Sequence, residues 1–342
     1  MEEEPLKCLE FFAGIGGFHY ALKDGGLRCR VLAAFDINPV TNTIYQANFP
    51  DTKVYQKNIQ VLILAIIKGV RLDLRDRRCD GLLNLCHELR NMRGPPSFVM
   101  VENVCGFETS MACDVLRKAL SETGYVFEVN FSPKQSQLQE FILTPLQLGI
   151  PNSRPRYYLL AKLGGSVINS CDGLKLEFPE VLGLRGSPLR SIGEFVSLEN
   201  DANENLKINL SSIIQHASAL SYVARPSKRS ACFTKSYSLF LKGCGSVFVT
   251  TPELQVEHPK EELLKLLVLF VSDSKQTSLS EPFGLRFFSW REVANLLGFP
   301  SDFHKPERIT DKQMYRALGN SVSIFAVAAL LKYLLECKGP YR

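Results

Sequence analysis

The chain has 342 residues, enough for about two domains at the usual ~150 residues each, or for one large α/β domain carrying a subdomain. Apolar residues make up 45% and charged residues 22%, which excludes disorder, collagen and coiled coil as whole-chain descriptions. The net charge of +5 admits an anionic partner without demanding one.

No apolar run is expected to approach the ~20 residues that cross a bilayer, the longest candidate being 61–67, so no membrane partner is expected. The start Met1-Glu2-Glu3-Glu4-Pro5 is acidic where a leader would be basic. Ten cysteines without a C-x-x-C pair predict reduced thiols in an intracellular protein and no metal site.

Residues 6–12 read as a strand that ends in Ala13-Gly14-Ile15-Gly16-Gly17 and continues as a helical pattern over 18–23. A second strand, 30–35, ends at Asp36 and is followed by a helix over 40–48. Residues 53–59 give a third strand, and the apolar run 61–67 is strand or helix, having no period of its own. A charged stretch at 71–78 leads to a helix at 79–92 and a strand at 97–101. A helix at 111–121, a strand at 125–131, a polar loop at 132–139 and closing strands at 141–144 and 157–161 follow. This alternation predicts an α/β fold, a doubly wound and mainly parallel sheet with ligands at the carboxyl ends of its strands.

Beyond Gly164-Gly165 the alternation fades. The expected plan is a cofactor domain at 1–165, a smaller inserted domain at 166–285, and C-terminal helices at 286–342, the last returning to the first domain. Ser289 with Glu292, and Thr310 with Gln313, have capping-box spacing, and Gly319-Asn320-Ser321 opens an apolar last helix at 322–335.

The glycine loop lies between strand and helix, and Asp36 follows Gly16 by twenty residues at the next strand's end. Glycines let backbone approach a ligand, and a carboxylate there can accept hydrogen bonds from a ribose diol. A tight structural turn is the plainer alternative, and a nicotinamide dinucleotide competes with S-adenosylmethionine. Glu102-Asn103-Val104 ends one strand and Arg154-Pro155-Arg156 precedes another, so a carboxylate and two guanidinium groups stand where chemistry on a bound ring is possible. A helix cap and a solvated turn are their duller readings. Arg225, Lys228, Arg229, Lys235 and Lys242, interleaved with Phe233, Tyr237 and Phe240, supply cations for phosphates and rings for stacking, unless the rings are simply buried.

Together with Phe12-Ala13-Gly14-Ile15-Gly16-Gly17 and Gly319-Asn320-Ser321, these segments resemble the cytosine-5 methyltransferases in motif order. Ala231-Cys232-Phe233-Thr234, Leu296-Leu297-Gly298-Phe299-Pro300 and the run from Leu143 to Arg154 are similar to the eukaryotic branch that was named as a second DNA methyltransferase and modifies transfer RNA. The resemblance implies an S-adenosylmethionine-type fold with an inserted target-recognition domain, tRNA as partner with DNA as a second candidate, and a monomer of the cytoplasm with access to the nucleus. Ile15, Gly16 and Gly17 would contact the cofactor's methionine part, Asp36 its ribose, Ile59 and Gln60 its adenine, and Ser321 would reach it from the last helix. Glu102 would bind the cytosine edge, with Arg154 and Arg156 near the ring. Cys232, Phe233, Thr234 and Lys235 would belong to target recognition with Arg225, Lys228 and Arg229. The implied reaction is methylation of C5 of cytosine in tRNA, in the anticodon loop of the aspartate species, through addition of a cysteine thiolate to C6.

The family's nucleophile belongs to a Pro-Pro-Cys loop, and no Pro-Pro-Cys occurs between 61 and 96. Pro95-Pro96-Ser97 stands at the wrong end of its strand. Cys79 and Cys105 are weak stand-ins, since most intracellular cysteines are small buried hydrophobes. An extra segment at 128–139 accompanies the loss. The chain is therefore expected to be impaired in methyl transfer, as a splice form, a misassembled gene model or an inactive RNA-binding protein.

Overall fold

The computed structural model describes residues 4–57, 80–125, 138–163, 173–184, 186–272 and 283–336. The expected element at 61–67, the charged stretch at 71–78, Ile59, Gln60, Cys79 and nearly all of the expected strand at 125–131 lie outside these residues. So does the expected domain boundary at 165/166.

The chain divides into two units. The first comprises Met1–Leu143, Pro155–Arg185 and Ala326–Arg342, and the second Thr144–Arg154 and Gly186–Phe325. Residues 144–154 thus leave the first unit and return to it.

The first unit opens with β1 (Leu6–Phe11), α1 (Gly17–Asp24), β2 (Cys29–Asp36), α2 (Pro39–Asn48) and β3 (Lys53–Gln56). The strands form a parallel sheet in the order β1-β2-β3, with Phe11 opposite Phe35 and Asp36 opposite Gln56. Stacked rings tie the three strands together, Phe11 to Phe35 and Phe35 to Tyr55, each at 5.1 Å between centroids. This register brings the loop after β1 beside Asp36. The helix α2 starts where sequence rules put it, with Asn38 accepting from the Val40 N–H and Pro39 in the first turn.

The same unit continues with α3 (Asp80–Asn91), β4 (Phe98–Val104), α4 (Met111–Glu122), β5 (Leu138–Leu143) and β6 (Arg156–Lys162). These strands form a second sheet in the order β4-β6-β5, and both pairings are antiparallel. The expected parallel arrangement therefore holds for β1 to β3, whereas β6 runs against both neighbours. Cys86, Cys113, Leu116, Leu120, Tyr157 and Leu159 make its core. Two local expectations change. The strand expected at 97–101 runs on through Glu102, Asn103 and Val104, because Tyr158, Tyr157 and Arg156 pair with them. Leu138 and Gln139, expected in a loop, belong to β5.

The second unit holds α5 (Leu210–His216), β7 (Ser221–Val223), β8 (Ser246–Val249), α6 (Lys260–Ser272), β9 (Leu285–Arg286), α7 (Trp290–Leu297) and α8 (Asp311–Gly319). Its small sheet is β7-β8-β9, around a core that includes Ile213, Tyr222, Val247, Val249 and Leu263. Both expected capping boxes form, Ser289 with Glu292 and Thr310 with Gln313. Arg286 is buried and its charge is met on both sides, by Glu292 at 2.8 Å and Asp201 at 3.0 Å.

The last helix, α9 (Ile324–Glu336), crosses from one unit's residues to the other's. The stretch Asp311–Leu335 is long and apolar enough by composition to cross a bilayer, which corrects the expectation that no run comes near that length. Residues 320–323 divide it into α8 and α9, and half of its apolar window is buried within the protein. It has the character of a core element.

Candidate functional site

The glycine loop is built from backbone that few side chains tolerate. Gly14 and Gly16 have φ of 55° and 84°, and Gly16 precedes α1 with no side-chain cap on the helix's first N–H groups. A Cβ on Gly16 would lie 2.5 Å from the Phe49 ring, so aromatic packing as well as conformation requires glycine there.

Asp36 holds this loop. Its carboxylate accepts from Gly14 N–H at 2.9 Å and from Asn38 N–H at 2.8 Å. Thr41 Oγ1 donates to it as well, at 3.3 Å, and because a carboxylate has about four lone-pair sites, capacity remains for one ligand hydroxyl. Ile15 buries its side chain and offers a ligand only backbone. Gly17 opens α1.

Two residues that sequence reasoning missed flank the loop. Phe12 is more than half exposed at φ 56°, a region non-glycine residues seldom occupy, and Ile37, next to Asp36, is also more than half exposed. The available signal was their position, apolar residues just past the ends of β1 and β2. Exposed apolar faces, an uncapped helix start and a carboxylate together fit an amphiphilic nucleoside cofactor.

Beneath the loop lies a buried polar chain. Tyr45 donates to Glu10 Oε2 at 2.6 Å, and His19 Nδ1 lies 2.8 Å from the Tyr45 hydroxyl. Burial pushes the Glu10 carboxyl up to about 7, against the lowering effect of the Tyr45 hydrogen bond. Burial and then Lys23 push His19 down to about 4. His19 stacks on Phe49 at 3.7 Å, so the same ring that closes on Gly16 also covers this chain.

Glu102 and Arg156 meet at the end of the second sheet. Arg156 Nε lies 3.3 Å from Glu102 Oε1, and both side chains are largely buried. The antiparallel register sets this pair, since Glu102 faces Tyr158 and Arg156 is the diagonal neighbour on the same face. Cys105 follows β4 and is exposed, but burial and the neighbouring Glu108 raise its thiol above the ordinary range, outweighing Arg156. Among the described cysteines, Cys8, Cys29, Cys86 and Cys113 are raised too, each chiefly by burial. None of these five is set up as a ready thiolate.

In the second unit the structure gathers three of the expected motifs around Arg154. This residue is 2% exposed, and its guanidinium donates to Cys232 Sγ at 3.5 Å, Phe233 O at 3.1 Å, Gly319 O at 3.1 Å and Ser321 O. Arg154 therefore clamps backbone in this structure. The resemblance places Arg154 near the target ring; its guanidinium is engaged by backbone oxygens of the second unit. Ser321 is buried within the clamp.

The expected RNA-contacting set divides. Phe233 is 2% exposed and packs edge-on against Tyr237 and Phe288, so it presents no face to a base. Arg225 is committed to Asp201 at 2.5 Å. Burial engages Phe233 and charge pairing engages Arg225 within the protein. Thr234 is partly buried, its N–H donating to Cys244 O at 3.0 Å. Lys228, Arg229 and Lys235 are exposed.

A parallel strand–glycine loop–helix unit with an acid at the second strand's end, joined in one unit to an antiparallel return strand, belongs to a mixed α/β protein of the S-adenosylmethionine-dependent methyltransferase fold. Solved structures with this fold include a Spodoptera frugiperda DNMT2 mutant, with TM-score 0.79, 30% identity, and 96% of this chain and 99% of that one covered. Another is Schizosaccharomyces pombe Dnmt2, with TM-score 0.76, 28% identity, and 97% and 98% covered. The C-5 cytosine-specific DNA methylase family model matches residues 6–83 and 67–336, so the chain belongs to the cytosine-5 methyltransferase family. The dinucleotide alternative is thereby set aside.

Among its relatives is the Homo sapiens tRNA (cytosine(38)-C(5))-methyltransferase, 31% identical over 407 positions that cover 97% of this chain and all of that protein. The Spodoptera frugiperda protein of the same name is 32% identical over 351 positions, covering 96% and 99%. Both alignments are longer than the 342-residue chain, so the relatives carry residues with no counterpart here. The family match changes over within 67–83, in the interval where the sequence has no Pro-Pro-Cys.

Proposed function

We propose that this chain binds S-adenosylmethionine and tRNA, engages a cytosine of the anticodon loop of the aspartate species, and methylates its C5 only very slowly. The names of the relatives support the tRNA substrate. The observation that carries the reading is the Glu102–Arg156 pair at 3.3 Å, a carboxylate held in place at a strand end within a cytosine-5 methyltransferase fold.

Bound at the glycine loop, S-adenosylmethionine supplies an electrophilic methyl group. Gly14, Gly16 and Gly17 would bring backbone to it, Phe12 and Ile37 would cover its apolar surface, and Asp36 would accept from one of its hydroxyls with the lone pair left over by Gly14, Asn38 and Thr41. Glu102 accepts from the cytosine amino group and holds a proton at N3, and Arg156 fixes the orientation of that carboxylate. A proton at N3 favours addition at C6, but addition needs a nucleophile. Without a sulfur bonded to C6 the ring keeps its aromatic stabilisation and C5 stays a poor nucleophile. The shifted thiols described above are no substitute.

Transfer of tritiated methyl groups to aspartate tRNA, run beside calorimetry with S-adenosylhomocysteine, tests this directly. The expected result is measurable cofactor binding with transfer of order 10³-fold or more below that of a relative with the cysteine loop. Transfer at the relative's rate overturns the reading. Failure to bind S-adenosylhomocysteine overturns the cofactor assignment.

A further inference from the structure

Residues 205–252 hold six lysines and arginines and no aspartate or glutamate. Lys207 pairs with Glu204 and Arg225 with Asp201, while Lys228, Arg229, Lys235 and Lys242 are exposed and have no ion pair among the described residues. Within this acid-free stretch Phe240 is 65% exposed, and Leu239 beside it is similarly open. A lone exposed phenylalanine needs no explanation. This one is held in place.

The chain on either side of 238–243 is pinned. Tyr237 is buried, donates from its hydroxyl to Ser246 O at 2.8 Å and accepts there from Phe288 N–H at 2.8 Å. Thr234 and Cys244 are joined across the base of the loop by a 3.0 Å backbone hydrogen bond. A Cβ on Gly319 would fall 2.2 Å from the backbone of Thr234 and Lys235, so the near side of the loop rests directly on the Gly319 turn. At the tip, Ser238 takes φ 66°, and the N–H groups of Leu239 and Phe240 both donate to Ser236 O. Phe240 therefore projects from a closed turn whose two feet are fixed in the core, five residues from Lys235 and two from Lys242.

We propose that Phe240 is a base-stacking residue of the RNA surface, taking the face of one unpaired nucleobase while Lys235 and Lys242 meet the flanking phosphates. An aromatic ring among unpaired cations matches single-stranded nucleic acid, in which each base offers a π-face and each linkage a negative charge. The buried rings Phe233 and Tyr237 supply the rigidity beneath it. The proposal rests on the tRNA reading above and adds the residue that touches the RNA.

The test compares wild type with Phe240→Ala and Phe240→Trp, reading tRNA affinity by anisotropy, S-adenosylhomocysteine affinity by calorimetry, and tryptophan emission against the background of Trp290, the chain's one natural tryptophan. Phe240→Ala is expected to weaken tRNA binding roughly tenfold with cofactor affinity unchanged. Phe240→Trp is expected to keep wild-type affinity, with its added emission quenched by tRNA and by an unpaired oligoribonucleotide but not by duplex RNA. Wild-type tRNA binding that Phe240→Ala leaves intact overturns this proposal alone, as does added emission that saturating tRNA does not change. A change in self-association in place of RNA affinity also overturns it. A wild-type chain that binds no tRNA overturns the substrate reading, and this proposal with it.

Discussion

Between pH 4.5 and 7 the Glu10 carboxyl is charged in the unfolded chain and still largely neutral in the folded one, because burial raises it from 4.5 to about 7. The folded state binds more protons over that window, so its stability falls as pH rises and stays reduced above it. The full shift corresponds to roughly 3 kcal/mol. His19, lowered from 6.5 to about 4, acts in the opposite direction below pH 6.5, and its partial exposure reduces its weight. Urea unfolding at pH 5 and pH 7.5 is expected to show Glu10→Gln losing less stability across the interval than wild type; equal losses would refute the buried, protonated carboxyl. At Gly16 both φ and the Phe49 ring oppose any side chain. Gly16→Ala is expected to lose more than ~1 kcal/mol of stability and to weaken S-adenosylhomocysteine binding. Calorimetry and thermal unfolding on the same sample check both.

At the scale of elements, the legible features are the local ones. The two capping boxes span three residues each, so their chemistry is written in one turn of chain. The glycine loop and Asp36 are legible for the same reason, since a strand, a turn and a helix announce themselves within about thirty residues. The end of β4 was not, because Glu102 to Val104 are held in the strand by partners more than fifty residues away. Nor was the clamp, in which Arg154 reaches Phe233 and Ser321 across 79 and 167 residues. Alternating rings and cations at 225–242 look alike in sequence whether a ring faces core or solvent, and only packing separates buried Phe233 from exposed Phe240. Two changes test these elements. Ser289→Ala is expected to cost about 1 kcal/mol, through loss of its bond to the Glu292 N–H. Arg154→Ala leaves three carbonyls without their donor and is expected to cost about 3 kcal/mol, with Arg154→Lys a poor rescue because an ammonium lacks the planar fork. Denaturant midpoints read both, and a silent Arg154→Ala would remove the clamp from the account.

For the whole molecule, the proposed function separates binding from bond formation. The glycine loop, the Glu102–Arg156 pair and the basic stretch of the second unit are all present, while no Pro-Pro-Cys occurs anywhere in the chain. Any slow methyl transfer should therefore be indifferent to Cys105→Ser, which a transfer assay on the variant can check. The most direct measurement uses RNA in which the target cytosine carries fluorine at C5. A thiolate that adds to C6 of that ring becomes trapped after methyl transfer, because fluorine cannot leave as the proton would. Incubated with S-adenosylmethionine and such an RNA, this chain is predicted to run on a denaturing gel at its own mass alone. A covalent protein–RNA band that maps to a cysteine of this chain would contradict the central claim.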